Sequence, residues 1–218
     1  MDGALLPTTK HRRGRRTPRQ EAALATPTPY LLPATPAALR PLLGDGIPTV
    51  LDIGFGTGEA VIAYAAAAPD ERILAVDMHT PGIGDLLASI TELGLTNVYV
   101  VEADVRIVLA ECIPPASLCG ARAFFPDPWP KKRHHRRRLI QSDFADLLAT
   151  RVRVGGFWHI ATDWADYAEQ IEVVLEASPP WRGGRIDRPA SRPTTRYERR
   201  GLAAGREPVD LLFDRITA

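Results

Sequence analysis

Cysteine is scarce in this sequence: Cys112 and Cys119 are the only two in 218 residues. They form neither a metal-ligand spacing nor a disulfide framework, and idle reduced thiols suit a cytoplasmic protein. No metal site is expected. No run of about 18 apolar residues exists, so no membrane-spanning helix is expected. The first 20 residues hold no apolar stretch of signal-peptide length. Their arginines resemble an organelle transit peptide, but Asp2 and the scattered prolines weigh against that. Net charge is nearly absent as well. Lys and Arg number 27 against 26 Asp and Glu, for a balance of +1, so the whole-chain charge names no partner. No internal repeat is present.

What is present is an apolar content of 45%, enough for a sizeable core in one domain, and an uneven distribution of charge. Basic residues bunch at 10–19, 131–138 and 182–206. Such patches bind phosphate backbones even when the total is neutral. Residues 1–48 are rich in Pro, Thr and Arg and read as a partly disordered arm, with 1–20 disordered when alone. Pro27, Pro29, Pro33, Pro36 and Pro41 are expected to keep the second half of that arm irregular. The domain proper is placed at 49–218.

From Val50 onwards apolar runs alternate with helical patterns. Runs at 50–53, 73–76, 97–101, 121–125, 157–161 and 209–213 read as strands. Segments 59–68, 83–93, 105–112, 136–151 and 164–175 carry helical spacing. Alternation of this kind predicts an α/β fold with a doubly wound, mostly parallel sheet, whose ligands bind at the carboxyl ends of the strands. Asp52, Asp77, Asp104, Asp127 and Asp163 all fall at or near predicted strand ends. One such acid is an ordinary helix cap; capping is a strained account of five at one rim.

Gly54, Gly56 and Gly58 follow the first of these strands and open a helix. The spacing G-x-G-x-G departs from the dinucleotide fingerprint G-x-G-x-x-G and leans towards S-adenosylmethionine. Asp77 is placed to bind ribose hydroxyls with either cofactor. Asp52, just before the loop, suits an amino group better than a pyrophosphate, which it would repel. After the run ending at Phe125, Asp127 lies between Pro126 and Pro128, and residues 131–138 come next with six Lys or Arg and two His. A carboxylate beside a cationic cluster suits a site where a small charged group meets a polyanion. Trp129 reads equally as a pocket wall or a core residue. Three rivals remain at this point: a methyltransferase for another substrate, a non-catalytic RNA-binding module and an NAD-linked enzyme. The basic clusters, the acid rim and the glycine spacing argue against them in turn.

The chain resembles the bacterial tRNA (guanine-N7-)-methyltransferase family from about residue 12 to 215. The resemblance rests on residues 51–59, 79–84, 124–138, 161–164 and 192–198, of which the Phe-Phe-Pro-Asp-Pro-Trp block with its basic tail is the most specific. It implies a seven-stranded Rossmann-like fold and methyl transfer from S-adenosylmethionine to N7 of the variable-loop guanine, position 46, of tRNA. It further implies cofactor contacts at Asp52, Asp77, Asp104 and Asp127, with Gly54, Gly56 and Gly58 shaping the loop. Substrate contacts are implied at Lys131, Asp163, Thr195, Arg196, Tyr197 and Glu198, the last four on a loop that closes over the site. RNA contacts are implied at Arg133, His134, His135, Arg136, Arg137 and Arg138. Residues 13–17 are similar to the family's basic N-terminal arm. The chain departs from the family at Asp52 and Asp77, where Glu is usual, and each carboxylate is one methylene shorter. N7 carries a lone pair and no proton, so no general base is expected. Asp127 is the catalytic candidate, stabilising the positive charge that develops on the ring. The expected protein is a cytoplasmic monomer or homodimer that needs no partner subunit.

Overall fold

The structure, a computed structural model, describes Thr8 and residues 15–217. In chain order the elements are α1 (Pro18–Ala25), β1 (Leu31–Leu32), α2 (Pro36–Leu43), β2 (Thr49–Ile53), α3 (Glu59–Ala67), β3 (Arg72–Asp77) and α4 (Thr80–Leu93). They continue with β4 (Val98–Glu102), α5 (Val105–Ile107), β5 (Leu118–Phe124), α6 (Ser142–Arg151), β6 (Val152–Thr162), α7 (Ala165–Glu176), β7 (Trp181–Ile186), α8 (Arg196–Ala203) and β8 (Val209–Arg215). A π-helical turn, Val108–Cys112, extends α5, and a 3-10 helix, Lys132–Arg137, precedes α6.

All eight strands form one sheet in the order β1-β4-β3-β2-β5-β6-β8-β7. β1 to β6 run parallel, and β8 is antiparallel to both β6 and β7. The apolar runs give six strands and the family resemblance implies seven. One strand that the runs miss is the two-residue β1, which pairs Leu31 with Val100 and Leu32 with Val101 and is too short to leave a periodic signal. β7, rich in Arg and Gly, also lacks the apolar alternation by which strands are read.

The prolines before residue 48 do not keep that segment irregular. Pro18 and Pro36 each sit in the first turn of a helix, where a missing N–H costs nothing and the fixed φ favours entry. Thr17 and Thr35 cap these helices through their hydroxyls. Leu39 and Leu43 of α2 enter the larger core, beside Leu51, Leu74, Leu109 and Phe144. That core fills one face of the sheet. On the other face, Val61, Ile73, Ile83, Leu86 and Val100 form a smaller one under α3 and α4.

The period of two along a strand decides what lies beneath the site. Leu51 and Ile53, Ala121 and Ala123, Trp158 and Ile160, and Leu211 and Phe213 point into the larger core. Asp52, Arg122, His159 and Asp210, one residue out of step, share the opposite face. There they are buried polar residues in place of an apolar layer. The run Ala121 to Phe125, read from the sequence as apolar, therefore carries a buried arginine. β5 itself ends at Phe124.

Candidate active site

The carboxyl ends of β2 to β5 open into connected cavities. The glycine loop forms their floor, with Gly54 at φ 71°, Gly56 at φ 61° and Gly58 at φ 82°. Gly56 shows why a side chain fails here: a Cβ would lie 2.8 Å from the ring of Tyr197, on top of a backbone in the left-handed region. Asp77, the last residue of β3, holds the loop in place. Its two oxygens accept from Gly56 N and His79 N, each at 2.9 Å. Burial pushes its carboxyl above the ordinary range, against those backbone donors.

An apolar cleft between Ile53, Val76, Val105 and Leu139 carries Asp77, Asp104 and Asp127 on its edge. This suits a flat heterocycle with a hydroxylated sugar. A larger cavity of about 350 Å³ shares Gly54, Asp77 and Asp127 with it and is rimmed by Arg15, Arg196, Tyr197 and Arg200. Asp52 lines a small neighbouring recess with Gly54, Thr57, Thr195 and Tyr197. Four of the five rim acids thus converge. Asp104 is not bare, because it caps α5 and pairs with Arg106. Burial raises its carboxyl, but the guanidinium and backbone donors outweigh that and hold it below its usual value. Asp163 lies apart, beyond β6, where Arg206 Nε donates to it at 2.7 Å.

Asp127 owes its place to two kinks. Phe125 has φ 55° and Trp129 φ 44°, both in the left-handed region although neither is glycine. The three residues between them, Pro126-Asp127-Pro128, are restrained by the proline rings. Asp127 therefore lines both the apolar cleft and the larger cavity from a rigid support. Phe125, where the apolar run read as a strand ends, lies one residue past β5, is half-buried and lines the larger cavity. Trp129 is a core residue, 6% exposed, and its indole N–H donates to Thr8 O at 2.8 Å.

The basic segment divides in two. Lys131, Lys132, Arg133 and Arg136 are exposed, and His134, His135 and Arg137 are half-buried. Arg137 stacks 4.9 Å over the Trp129 ring, and His134 meets the same ring edge-on. Arg138 departs from the expected role in RNA contact. It is 2% exposed and its guanidinium bonds Pro128 O, Gln170 and Asp166 at 2.7–2.8 Å. This anchor also explains why the expected helix over 136–151 breaks: Arg138 leaves the helical path to reach α7, and α6 starts only at Ser142.

The segment 195–198 is not the loop expected from sequence. Thr195 caps α8, accepting from Glu198 N at 3.3 Å, and Arg196, Tyr197 and Glu198 form its first turn. Arg196 N donates to Glu59 Oε2 at 2.7 Å, which ties α8 to the helix after the glycine loop. Glu198 is 1% exposed and lies in an ionic network away from the open cavity. Arg192 donates to both its oxygens at 2.8 and 3.1 Å and to Asp210 Oδ2 at 2.8 Å. Asp210 also meets His159 Nε2 at 2.8 Å. The sequence reading assigned no role to Arg122, His159, Arg192 and Asp210, nor to the rim residues His79 and Arg200. His79 and Arg192 lie in blocks that carry the family resemblance, and Arg122 stands out as a charge inside an apolar run. Among the described residues no group of His, Cys, Asp and Glu could hold a metal ion, and no helix is long and apolar enough to cross a membrane. Residues 13 and 14 of the basic arm lie outside the described residues.

Residues 47–211 match the family described as "Putative methyltransferase". A Streptomyces avermitilis protein named tRNA (guanine-N(7)-)-methyltransferase is 53% identical over 183 residues, covering 82% of this chain and 63% of that protein. One of the same name from Pseudomonas fluorescens SBW25 is 41% identical over 224 aligned positions, covering 95% of this chain and 93% of that one. Among solved structures, 16S rRNA methyltransferase KamB superposes with a TM-score of 0.60 at 17% identity, covering 84% of this chain and 94% of that one. At that identity the likeness concerns the fold alone.

Proposed function

Given that the chain belongs to the tRNA (guanine-N7-)-methyltransferase family, we propose that it transfers a methyl group from S-adenosylmethionine to N7 of guanine 46 in tRNA. The observation that carries this reading is the shared position of Asp127. It stands on the edge of the cleft suited to a nucleoside and inside the larger cavity open to a second base. The residues present fit the methyl donor. The cleft accepts an adenine, Asp77 lies at the end of the second core strand where a ribose would come, and Asp52 lines the recess beside the glycine loop. When bound, S-adenosylmethionine supplies a methyl group on a positively charged sulfur.

The protein's own part is positioning and charge. N7 needs no deprotonation, so holding the guanine in line is the main task. Asp127 is assigned to accept from the guanine N1–H and exocyclic amine. Its charge also stabilises the cation that forms on the ring. Tyr197, lying on Gly56, walls the cavity. The target guanine must leave its stack to enter, and the flanking phosphates would meet Arg15, Arg196 and Arg200 at the rim and the exposed Lys131, Lys132, Arg133 and Arg136. Incubation of the protein with unmodified tRNA and labelled methyl donor, followed by cleavage selective for N7-methylguanine, tests the reading. A single cut at position 46 supports it. Transfer to another atom or another guanine refutes the assignment.

A further inference from the structure

Two opposite charges lie inside the sheet where apolar residues would pack. Asp52 and Arg122 are direct partners in the β2–β5 register, so their side chains share a face. Asp52 is 3% exposed and Arg122 5%, and Arg122 Nη2 lies 2.8 Å from Asp52 Oδ2. Most of their neighbours are apolar, Val50, Leu51 and Ile53 on β2 and Ala121 and Ala123 on β5, with Thr49 a buried polar residue at the start of β2. A buried ion pair is a poor stabiliser, since desolvation offsets most of its attraction and an apolar pair usually does as well. Folding alone does not account for it.

We infer that Arg122 is a positioning residue for the methyl donor: from the far side of the sheet position it shares with Asp52, it holds that carboxylate ionised and aimed at the donor's amino group. The inference rests on the methyl-donor reading above. Asp52 lines the recess beside the glycine loop, Arg122 lines the neighbouring cavity, and Phe124 lines both. Arg122 therefore grips the acid from the side away from the loop. The grip is rigid, because the guanidinium carbon sits 3.9 Å over the ring of Tyr64 from α3 and 5.8 Å from that of Phe124. Burial, helped by the charge of Asp77 on β3, leaves the Asp52 carboxyl above its ordinary value, and Arg122 pulls against both influences and limits that rise. Glu59 on α3 borders the same recess and adds no cation. A protonated acid could not pair with an ammonium group.

The test measures binding of S-adenosylhomocysteine, which has the same amino-acid end and cannot react. Titration calorimetry is run between pH 5.5 and 8.5 on the wild type, Arg122→Met and Arg122→Lys. In Arg122→Met the dissociation constant at pH 7 rises ~10-fold or more, and the acid limb of binding moves up by about one pH unit or more. Arg122→Lys keeps the limb near its wild-type place. Equal affinity and an unmoved limb in a folded Arg122→Met protein overturn the inference. Should that variant fail to fold, the wild type decides. Binding at pH 6.5 in buffers of different ionisation enthalpy releases no proton when Asp52 is already charged. Release of about one proton overturns the inference. A wild type that binds no S-adenosylhomocysteine refutes the donor reading itself, which separates the two failures.

Discussion

Asp127 stands between two bulky residues with positive φ, Phe125 and Trp129. Each costs on the order of 1–3 kcal/mol, and such strain persists where surrounding structure over-determines it, often at functional sites. The prolines and the acid were legible in the sequence. The kinks were not, because nothing in Phe or Trp announces a left-handed backbone. Asp127→Ala is expected to lower kcat for methyl transfer by ~10²-fold or more with the fold retained by circular dichroism. A folded variant with near-normal turnover would remove Asp127 from the mechanism. Asp210 allows a second test at this scale. Burial raises its carboxyl, but His159 and Arg192 together hold it below the ordinary value. A carboxyl depressed on folding gives stability that is complete above its unfolded pKa and lost as pH falls through the folded one. The urea-midpoint gap between wild type and Asp210→Asn should therefore be full near pH 7 and shrink progressively below about pH 4. A gap independent of pH would show that the charge of Asp210 is not what stabilises the network.

At the level of elements, the basic stretch behaves as two devices. The 3-10 helix Lys132–Arg137 presents exposed cations, while Arg138 turns inward to bind Pro128 O and α7. Replacing Lys132, Arg133 and Arg136 by Ala should reduce the slope of log K against log salt for tRNA by about one for each phosphate that is no longer neutralised. Stability should be nearly unchanged. Arg138→Met should do the opposite, costing roughly 1–3 kcal/mol of unfolding free energy through the removal of buried hydrogen bonds and leaving the salt slope alone. Equal salt slopes for both variants and the wild type would place the exposed cations away from RNA. α8 was hidden in the sequence for a related reason. Its first turn is Arg-Tyr-Glu-Arg, without the apolar stripe by which helices are read, and it is secured instead by the Thr195 cap and by Glu198 buried against Arg192.

At the scale of the molecule, the segment before residue 49 is more than an arm. α1 packs on α4, where a Cβ at Gly84 would come within 2.9 Å of Gln20. Leu39 of α2 is fully buried in the larger core. Leu39→Ala should cost about 2–5 kcal/mol in urea unfolding, and an unaffected midpoint would detach α2 from the cooperative unit. The basic rim has the same mixed origin. Arg15 comes from the start of the chain, and Arg196 and Arg200 come from α8, yet all three border one cavity.

The sequence by itself determined the alternating α/β order, the glycine loop after β2 and the identity of the acids at the strand ends. Periodicity and turn chemistry are local, and each residue reports on its own strand or helix. Only the tertiary structure decided which polar residues meet. Arg122 lies opposite Asp52 because β2 and β5 are neighbours in register, although 69 residues of chain separate the pair. Arg138 and Glu198 point inward because their partners, Asp166 on α7 and Arg192 before α8, are brought to them by packing. A charge looks the same in a sequence whether it faces water or a buried counter-charge, and the difference lies in the non-local contacts that the fold creates.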